Sequence, residues 1–157
     1  QSNLTPEEVD LKTTFEEILG EYDDVFSREG ISLQTDFPDK IVLNANQQFF
    51  RDILQNLIDN SVKAMANSKP KVIRCSYEVQ NDMLEILVSD TGIGIPQEDH
   101  EQIFALYYTT TELQGGAGIG LYIVKTRVQS LGGSVAVVDS EFGEIGTTIK
   151  ITIPFKK

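Results

Sequence analysis

Three groups of residues in this chain have types and spacings that could do chemistry. The first is Asp90-Thr91-Gly92-Ile93-Gly94-Ile95-Pro96, where a carboxylate closes an apolar strand pattern and two glycines let the backbone turn sharply. Leu84, Ile86, Val88 and Asp90 share one face of that strand, so the alternation aims Asp90 toward the core side. A carboxylate there either caps the following turn or answers donors brought from elsewhere, because burying it unpaired is costly. The second group is Asn56, Asn60 and Lys63. At about 100° per residue they lie within roughly 60° of one another, beside the apolar stripe of their helix. Such a flank is a solvated face or the rim of a core where a ligand touches helix and sheet together. The third is Gly115-Gly116-Ala117-Gly118-Ile119-Gly120-Leu121, which runs directly into a helical pattern. Glycines opening a helix let phosphate oxygens approach backbone N–H groups at its positive end. The same composition also makes a simple flexible connection. The spacing is not G-x-G-x-x-G after a strand, and no Gly-Lys-Ser/Thr ending follows. A dinucleotide fold is therefore a poor match, and a Walker-type loop is excluded.

The elements that must position these groups follow from periodicity. Residues 5–29 read as one amphipathic helix with Leu11, Phe15, Ile18, Leu19, Tyr22 and Phe26 at helical spacing and Gly30 as its stop. Its start has two candidates, a capping box at Thr5-Pro6-Glu7-Glu8 or a cap at Asp10. Ile31, Leu33 and Phe37 alternate as a strand ended by Pro38, and Ile41 to Leu43 is a short run able to pair with it. Residues 47–67 form the clearest helix, with Phe50, Ile53, Leu54, Leu57, Ile58, Ala64 and Met65 on one stripe and Asn46 as its cap. Ile73, Cys75, Tyr77 and Val79 alternate, Asn81-Asp82 turns a hairpin, and Met83 to Ser89 returns. Gln97 to Phe104 reads as a short helix. Leu121, Val124, Val128 and Leu131 mark a helix terminated by Gly132-Gly133, then come strands at Val135 to Val138 and Ile149 to Ile153. Short turns between several strands require a mixed, mostly antiparallel sheet. Few helices, each with one apolar stripe, make a two-layer α+β sandwich with the helices on one face.

Composition narrows the partners. The 157 residues suit one domain with a real core, and a net charge of −11 argues against DNA, RNA or an anionic membrane as the main partner. A small anionic ligand held by a few local donors is compatible with it. The one cysteine, Cys75, cannot form an internal disulfide, and with the one histidine it rules out a thiolate-based zinc site. That usage fits a reducing compartment, so a cytoplasmic location is expected, with a membrane anchor possible elsewhere in a longer parent.

Taken in order, Asn56-Leu57-Ile58-Asp59-Asn60-Ser61-Val62-Lys63, Asp90 to Pro96, Ile103 to Thr110, Gly116 to Leu121 and Gly146-Thr147-Thr148 resemble the N, G1, F, G2 and G3 boxes. These belong to the catalytic, ATP-binding domain of sensor histidine kinases, in the Bergerat superfamily that also includes gyrase, chaperone and mismatch-repair ATPases. The resemblance runs from about Val9 to Phe155. It implies a Bergerat fold over residues 9–157, with residues 1–8 as residual linker from an upstream dimerisation domain. Asn60 would be the Mg²⁺ ligand, Lys63 a point charge for a phosphate, and Asp90 the acceptor for the adenine amino hydrogen. Gly92 and Gly94 would leave room for the base, and Thr147 would support it directly or through water. Asn56, Tyr108, Thr109, Gly116, Gly118, Ile119, Gly120 and Leu121 complete the implied ATP contacts, with residues 105–115 as a lid.

The resemblance also discriminates between reactions. Related ATPases carry a Glu one turn before the metal-binding Asn, to activate water, whereas this chain has Asn56. A neutral amide is no useful base at pH 7, so ATP is expected to serve transfer to a histidine on the dimerisation domain, and thence to the aspartate of a response-regulator receiver domain. A Bergerat serine kinase of the anti-sigma type and a non-catalytic nucleotide-binding module are the alternatives. Ala64 stands where many members carry a Tyr, so that adenine contact is absent or comes from Tyr107 or Tyr108. His100 reads as an ordinary surface residue, so the chain is expected to bind ATP without phosphorylating itself.

Overall fold

The computed structural model describes residues 7–106 and 120–156. Strand β1 (Glu7–Asp10) leads into α1 (Leu11–Gly20) and α2 (Asp23–Glu29), then β2 (Ser32–Asp36) and β3 (Val42–Ala45). The long helix α3 (Gln47–Ala64) precedes the hairpin β4 (Val72–Gln80) and β5 (Met83–Asp90). Helix α4 (Gly120–Ser130), β6 (Ser134–Val138) and β7 (Thr147–Pro154) complete the described chain. The main sheet has the order β2-β4-β5-β7-β6, with β2 parallel to β4 and every other pair antiparallel.

Period-two alternation sorts the sheet into two faces. Ile73, Cys75 and Tyr77, then Leu84, Ile86 and Val88, then Ile149, Ile151 and Ile153 face the helices and are buried in one core with Phe15, Ile18, Phe50, Ile53, Leu57, Val124 and Val128. The opposite face carries polar side chains, among them the Lys150–Glu85 pair at 3.7 Å and Arg74 beside Asp36 at 3.7 Å. The turn joining β4 to β5 places Asn81 at φ +56° and Asp82 at φ +59°, the left-handed pair that matches the twist of a two-residue hairpin. The two-layer, mixed and mostly antiparallel α+β architecture is as expected.

Three local expectations are corrected. The helix foreseen over residues 5–29 is a strand and two helices. Glu7–Asp10 pair with β3 in a separate two-stranded sheet, which carries Val9 into the core. Asp10 then caps α1, its Oδ1 accepting from the Thr13 N–H at 3.1 Å. The break after Gly20 is held from outside, because Tyr22 Oη donates to Asp59 Oδ1 at 2.7 Å and lies 3.2 Å from the Gln55 carbonyl on α3. Ile41 to Leu43 does not pair with β2, since β3 takes β1 as its partner and β2 lies beside β4. Finally, Gln97 to Phe104 forms two short 3₁₀ turns, Gln97–Asp99 and Gln102–Phe104, instead of a helix.

Helix α3 matches its sequence reading closely. Asn46 Oδ1 accepts from the Phe49 N–H at 3.2 Å, as an N-cap should. The helix ends at Ala64, three residues before the expected limit, with Met65 as its C-cap. Gly132 at φ +80° closes α4, and the Gly133 N–H returns to the Val128 carbonyl at 3.0 Å.

Candidate nucleotide site

The end of β5, the last turns of α3 and the start of β7 meet along one cleft. Leu57, Asn60, Ser61, Ala64, Val88, Asp90, Ile93, Gly94, Ile95, Thr147 and Ile149 line it, around about 390 Å³ of empty space that opens to solvent. Three residues named from sequence, Asn60, Asp90 and Thr147, are thereby brought to one wall from three separate elements. Asp90 and Thr147 are cross-strand partners, and both project from the core-facing side of the sheet. The cleft is thus an extension of the core, apolar at its floor and polar where those side chains enter.

Asp90 is only 5% exposed. Burial pushes its carboxyl up to about 6, against opposing hydrogen bonds from the Gly92 N–H, the Ser61 hydroxyl and the Thr147 N–H. The Gly92 bond measures 2.8 Å to Asp90 Oδ1. Both sequence readings of this residue therefore hold at once, since it does receive the following turn and it also faces the cleft. A desolvated carboxylate of this kind gains strongly from a donor on an incoming ligand, because its hydration has already been lost.

The glycines of the turn have distinct reasons for being there. A Cβ on Gly92 would lie 2.7 Å from both the Cβ and the carbonyl oxygen of Ala64, so this strand end packs directly onto the last turn of α3. The Ile93 N–H seals that contact, donating to the Ala64 carbonyl at 3.1 Å. Gly94 sits at φ +78°, where an L side chain is strained. Gly92 thus gives clearance to helix α3.

Asn56 lies one turn before Asn60 but away from the cleft lining. Its Nδ2 donates to the Asp52 carbonyl at 2.6 Å, and its Oδ1 sits 3.0 Å from where a Cβ on Gly120 would be. The residue thus joins α3 to the start of α4. Lys63 is exposed on α3. Leu121 is a buried core side chain at the first turn of α4. Tyr108, Thr109, Gly116, Gly118 and Ile119 lie outside the described residues, as do Tyr107 and all of the expected lid except Ala105 and Leu106. His100 is half-buried, with Nε2 2.9 Å from the Ile95 carbonyl, so it braces the turn after Gly94 and is not a free surface side chain.

Two contributors were missed in sequence. Ser61 is buried and helps to hold the Asp90 carboxylate, and its place one residue after Asn60 on the core-facing edge of α3 was the available signal. Thr91 is 4% exposed; its hydroxyl donates to the Pro70 carbonyl at 2.6 Å and accepts from the Val72 N–H at 2.9 Å. It pins the loop after α3 to the strand end that carries Asp90. A lone Thr beside a glycine carries no such signal in sequence.

The model of the family described as histidine kinase-, DNA gyrase B-, and HSP90-like ATPase matches residues 45–157. Sensor protein EvgS of Escherichia coli O157:H7 is 29% identical over 157 residues, covering 96% of this chain and 13% of its own length. Aerobic respiration control sensor protein ArcB of Escherichia coli K12 is 41% identical over 108 residues, covering 66% of this chain and 13% of its own length. The chain therefore spans about 13% of the length of each of these curated relatives. Among solved structures, the catalytic domain of histidine kinase ThkA superposes with a TM-score of 0.84 at 22% identity, covering 95% of both chains. That likeness establishes the shared fold.

Proposed function

The chain belongs to the histidine kinase-, DNA gyrase B- and HSP90-like ATPase family, and from that premise we propose that it is the catalytic, ATP-binding domain of a two-component sensor histidine kinase. The observation that carries the reading is the buried Asp90 carboxylate, set in a cleft that Asn60 on α3 and Thr147 on β7 also line. Asp90 accepts the amino hydrogen of adenine, and Thr147 supports the same end of the base. The matched relatives are named as sensor proteins and do not favour the serine-kinase or non-catalytic alternatives.

In this reading the domain works by placement. The γ-phosphoryl group passes from ATP to a histidine nitrogen of a dimerisation domain, ADP leaves, and the phosphoryl moves on to a receiver-domain aspartate. Little covalent chemistry is asked of the catalytic domain beyond orientation and charge neutralisation. Lys63, nearly one turn beyond Asn60, offers a positive charge to the phosphates. Asn56 supplies no base for water attack, and its amide is already engaged with Asp52 and abuts Gly120. Hydrolysis should accordingly be slow relative to transfer.

Mg²⁺ is expected to accompany ATP, and the donor set fits that role. Among the described residues no group of three or more His, Cys, Asp or Glu could hold a metal unaided. A lone amide oxygen on the cleft wall suits a hard ion that keeps several waters and shares triphosphate oxygens. Asn60 would hold it there, and the ion would supply neutralisation of the phosphate charge.

Residues 1–8 are assigned to a linker and 9–157 to the catalytic domain, although β1 already begins at Glu7. No described helix is long and apolar enough to cross a membrane. The assigned place of action is the cytoplasm, with the partners being ATP, the dimerisation domain of the same parent protein and a response regulator. Titration with a non-hydrolysable ATP analogue, with and without Mg²⁺, tests the reading on wild type and Asn60→Ala. Wild type should bind more tightly with Mg²⁺, and Asn60→Ala should lose most of that increment while keeping metal-free binding. An undiminished Mg²⁺ increment in the variant would remove Asn60 from its role.

A further inference from the structure

The sheet face turned away from the helices carries a polar network directly behind the cleft. Ser89 and Thr148 are cross-strand partners on β5 and β7, adjacent to the pair Asp90 and Thr147 that faces the opposite way. Both are fully buried. Thr148 Oγ1 donates to Ser89 Oγ at 2.8 Å, and Ser89 Oγ donates to Glu141 Oε1 at 3.0 Å. The Glu141 N–H closes the ring on Thr148 Oγ1 at 3.0 Å, while Arg74 Nε lies 3.4 Å from the same Glu141 oxygen.

Glu141 belongs to the loop between β6 and β7. That loop is stitched internally, since Ser140 Oγ donates to the Ile145 carbonyl at 2.6 Å and accepts from the Phe142 N–H at 3.1 Å. It ends at Gly146, with φ +79°, where a Cβ would fall 1.9 Å from the Asp90 carbonyl oxygen. The Gly146 carbonyl in turn lies 3.3 Å from where a Cβ on Gly94 would be. Gly146 and Thr147 are therefore wedged against both ends of the Asp90 turn, and small shifts of the loop must move the donors around that carboxylate.

We propose that Glu141 is a positioning residue for the adenine end of the site. It hooks the β6–β7 loop onto the far face through Ser89 and Thr148, and thereby sets where Gly146 and Thr147 stand beside Asp90. The inference rests on the nucleotide reading above. The Glu141 side chain is 29% exposed and lies in a surface loop, so its removal takes little apolar area from the core. What it fixes is one residue away from the groups that meet the base, and binding depends steeply on such placement.

The test compares Glu141→Ala and Glu141→Gln with wild type by two readouts. One is the amide-proton resonance and hydrogen-exchange rate of Thr147 in the free protein, with Gly92 as the internal reference. The other is the dissociation constant for ATP. Glu141→Ala should speed Thr147 exchange and weaken ATP binding, each about tenfold, with the Gly92 amide little changed. Glu141→Gln keeps an oxygen to accept from Ser89 and should restore both. Unchanged ATP affinity in Glu141→Ala, whatever Thr147 does, overturns the inference, and so does a Gln variant as impaired as Ala. Should Glu141→Ala fail to fold, Ser89→Ala removes the same hook from the strand side and must give the same two effects. Wild type that fails to bind ATP overturns the nucleotide reading itself, and the inference with it.

Discussion

Asp90 sets the terms at the residue scale, because its burial acts on stability and on binding in opposite directions. Burial lifts its folded-state carboxyl to about 6, from an ordinary value of 3.8. The folded protein thus holds this proton more tightly than the unfolded chain does. The group's stabilising contribution is complete below about pH 4 and is lost as pH rises through 6. Above that window the buried carboxylate costs roughly 3 kcal/mol, an order-of-magnitude figure from 1.36 kcal/mol per pH unit. Asp90→Asn is therefore expected to raise stability at neutral pH by about 1–3 kcal/mol, seen as a higher urea midpoint, and to abolish this part of the decline between pH 4 and 6. ATP binding should show the reverse dependence, since in the proposed reading the adenine amino group donates to the ionised carboxylate. Affinity should fall on acidification below pH 6, approaching tenfold per unit, and this slope should be absent from Asp90→Asn.

At the scale of elements, the site depends on how closely three backbones approach. Gly92→Ala puts a methyl 2.7 Å from Ala64, and Gly146→Ala puts one 1.9 Å from the Asp90 carbonyl at φ +79°. Overpacking of the first kind costs typically about 1–3 kcal/mol, and the second adds the strain of a left-handed backbone. Chemical denaturation should therefore rank Gly146→Ala below Gly92→Ala, and both below wild type. Equal stability of all three would contradict the packing described. The elements bearing strong periodicity were legible in sequence: α3 with its Asn46 cap, the β4–β5 hairpin at Asn81-Asp82, and the inward parity of Asp90. The elements that rest on distant partners were not. Glu7–Asp10 form a strand because β3 lies beside them, and the break after Gly20 is held by Tyr22 bonding to Asp59 and lying against Gln55. Neither partner is visible in a local window. The glycines at 92 and 94 were found, but the close packing of Gly92 on helix α3 has no signature in a local window.

For the whole molecule, the two-layer fold brings the end of β5, the start of β7 and the last turns of α3 to one cleft, and the proposed reading leaves the phosphoacceptor histidine to another domain of the parent protein. In the proposed reading, a net charge of −11 leaves phosphate recognition to local groups at the cleft. Incubated with γ-labelled ATP and Mg²⁺, this chain should acquire no phosphoryl label at His100 or elsewhere, while a histidine-bearing dimerisation domain of the parent protein should become labelled in its presence. Label on the isolated chain would contradict the division of labour proposed. The central claim, that Asp90 is the adenine acceptor, is tested most directly by calorimetric titration of wild type and Asp90→Asn with a non-hydrolysable ATP analogue near pH 7.5. Loss of a charge-assisted hydrogen bond in a desolvated site predicts roughly 10- to 100-fold weaker binding by a variant that remains folded. Equal affinity of the two proteins would contradict it.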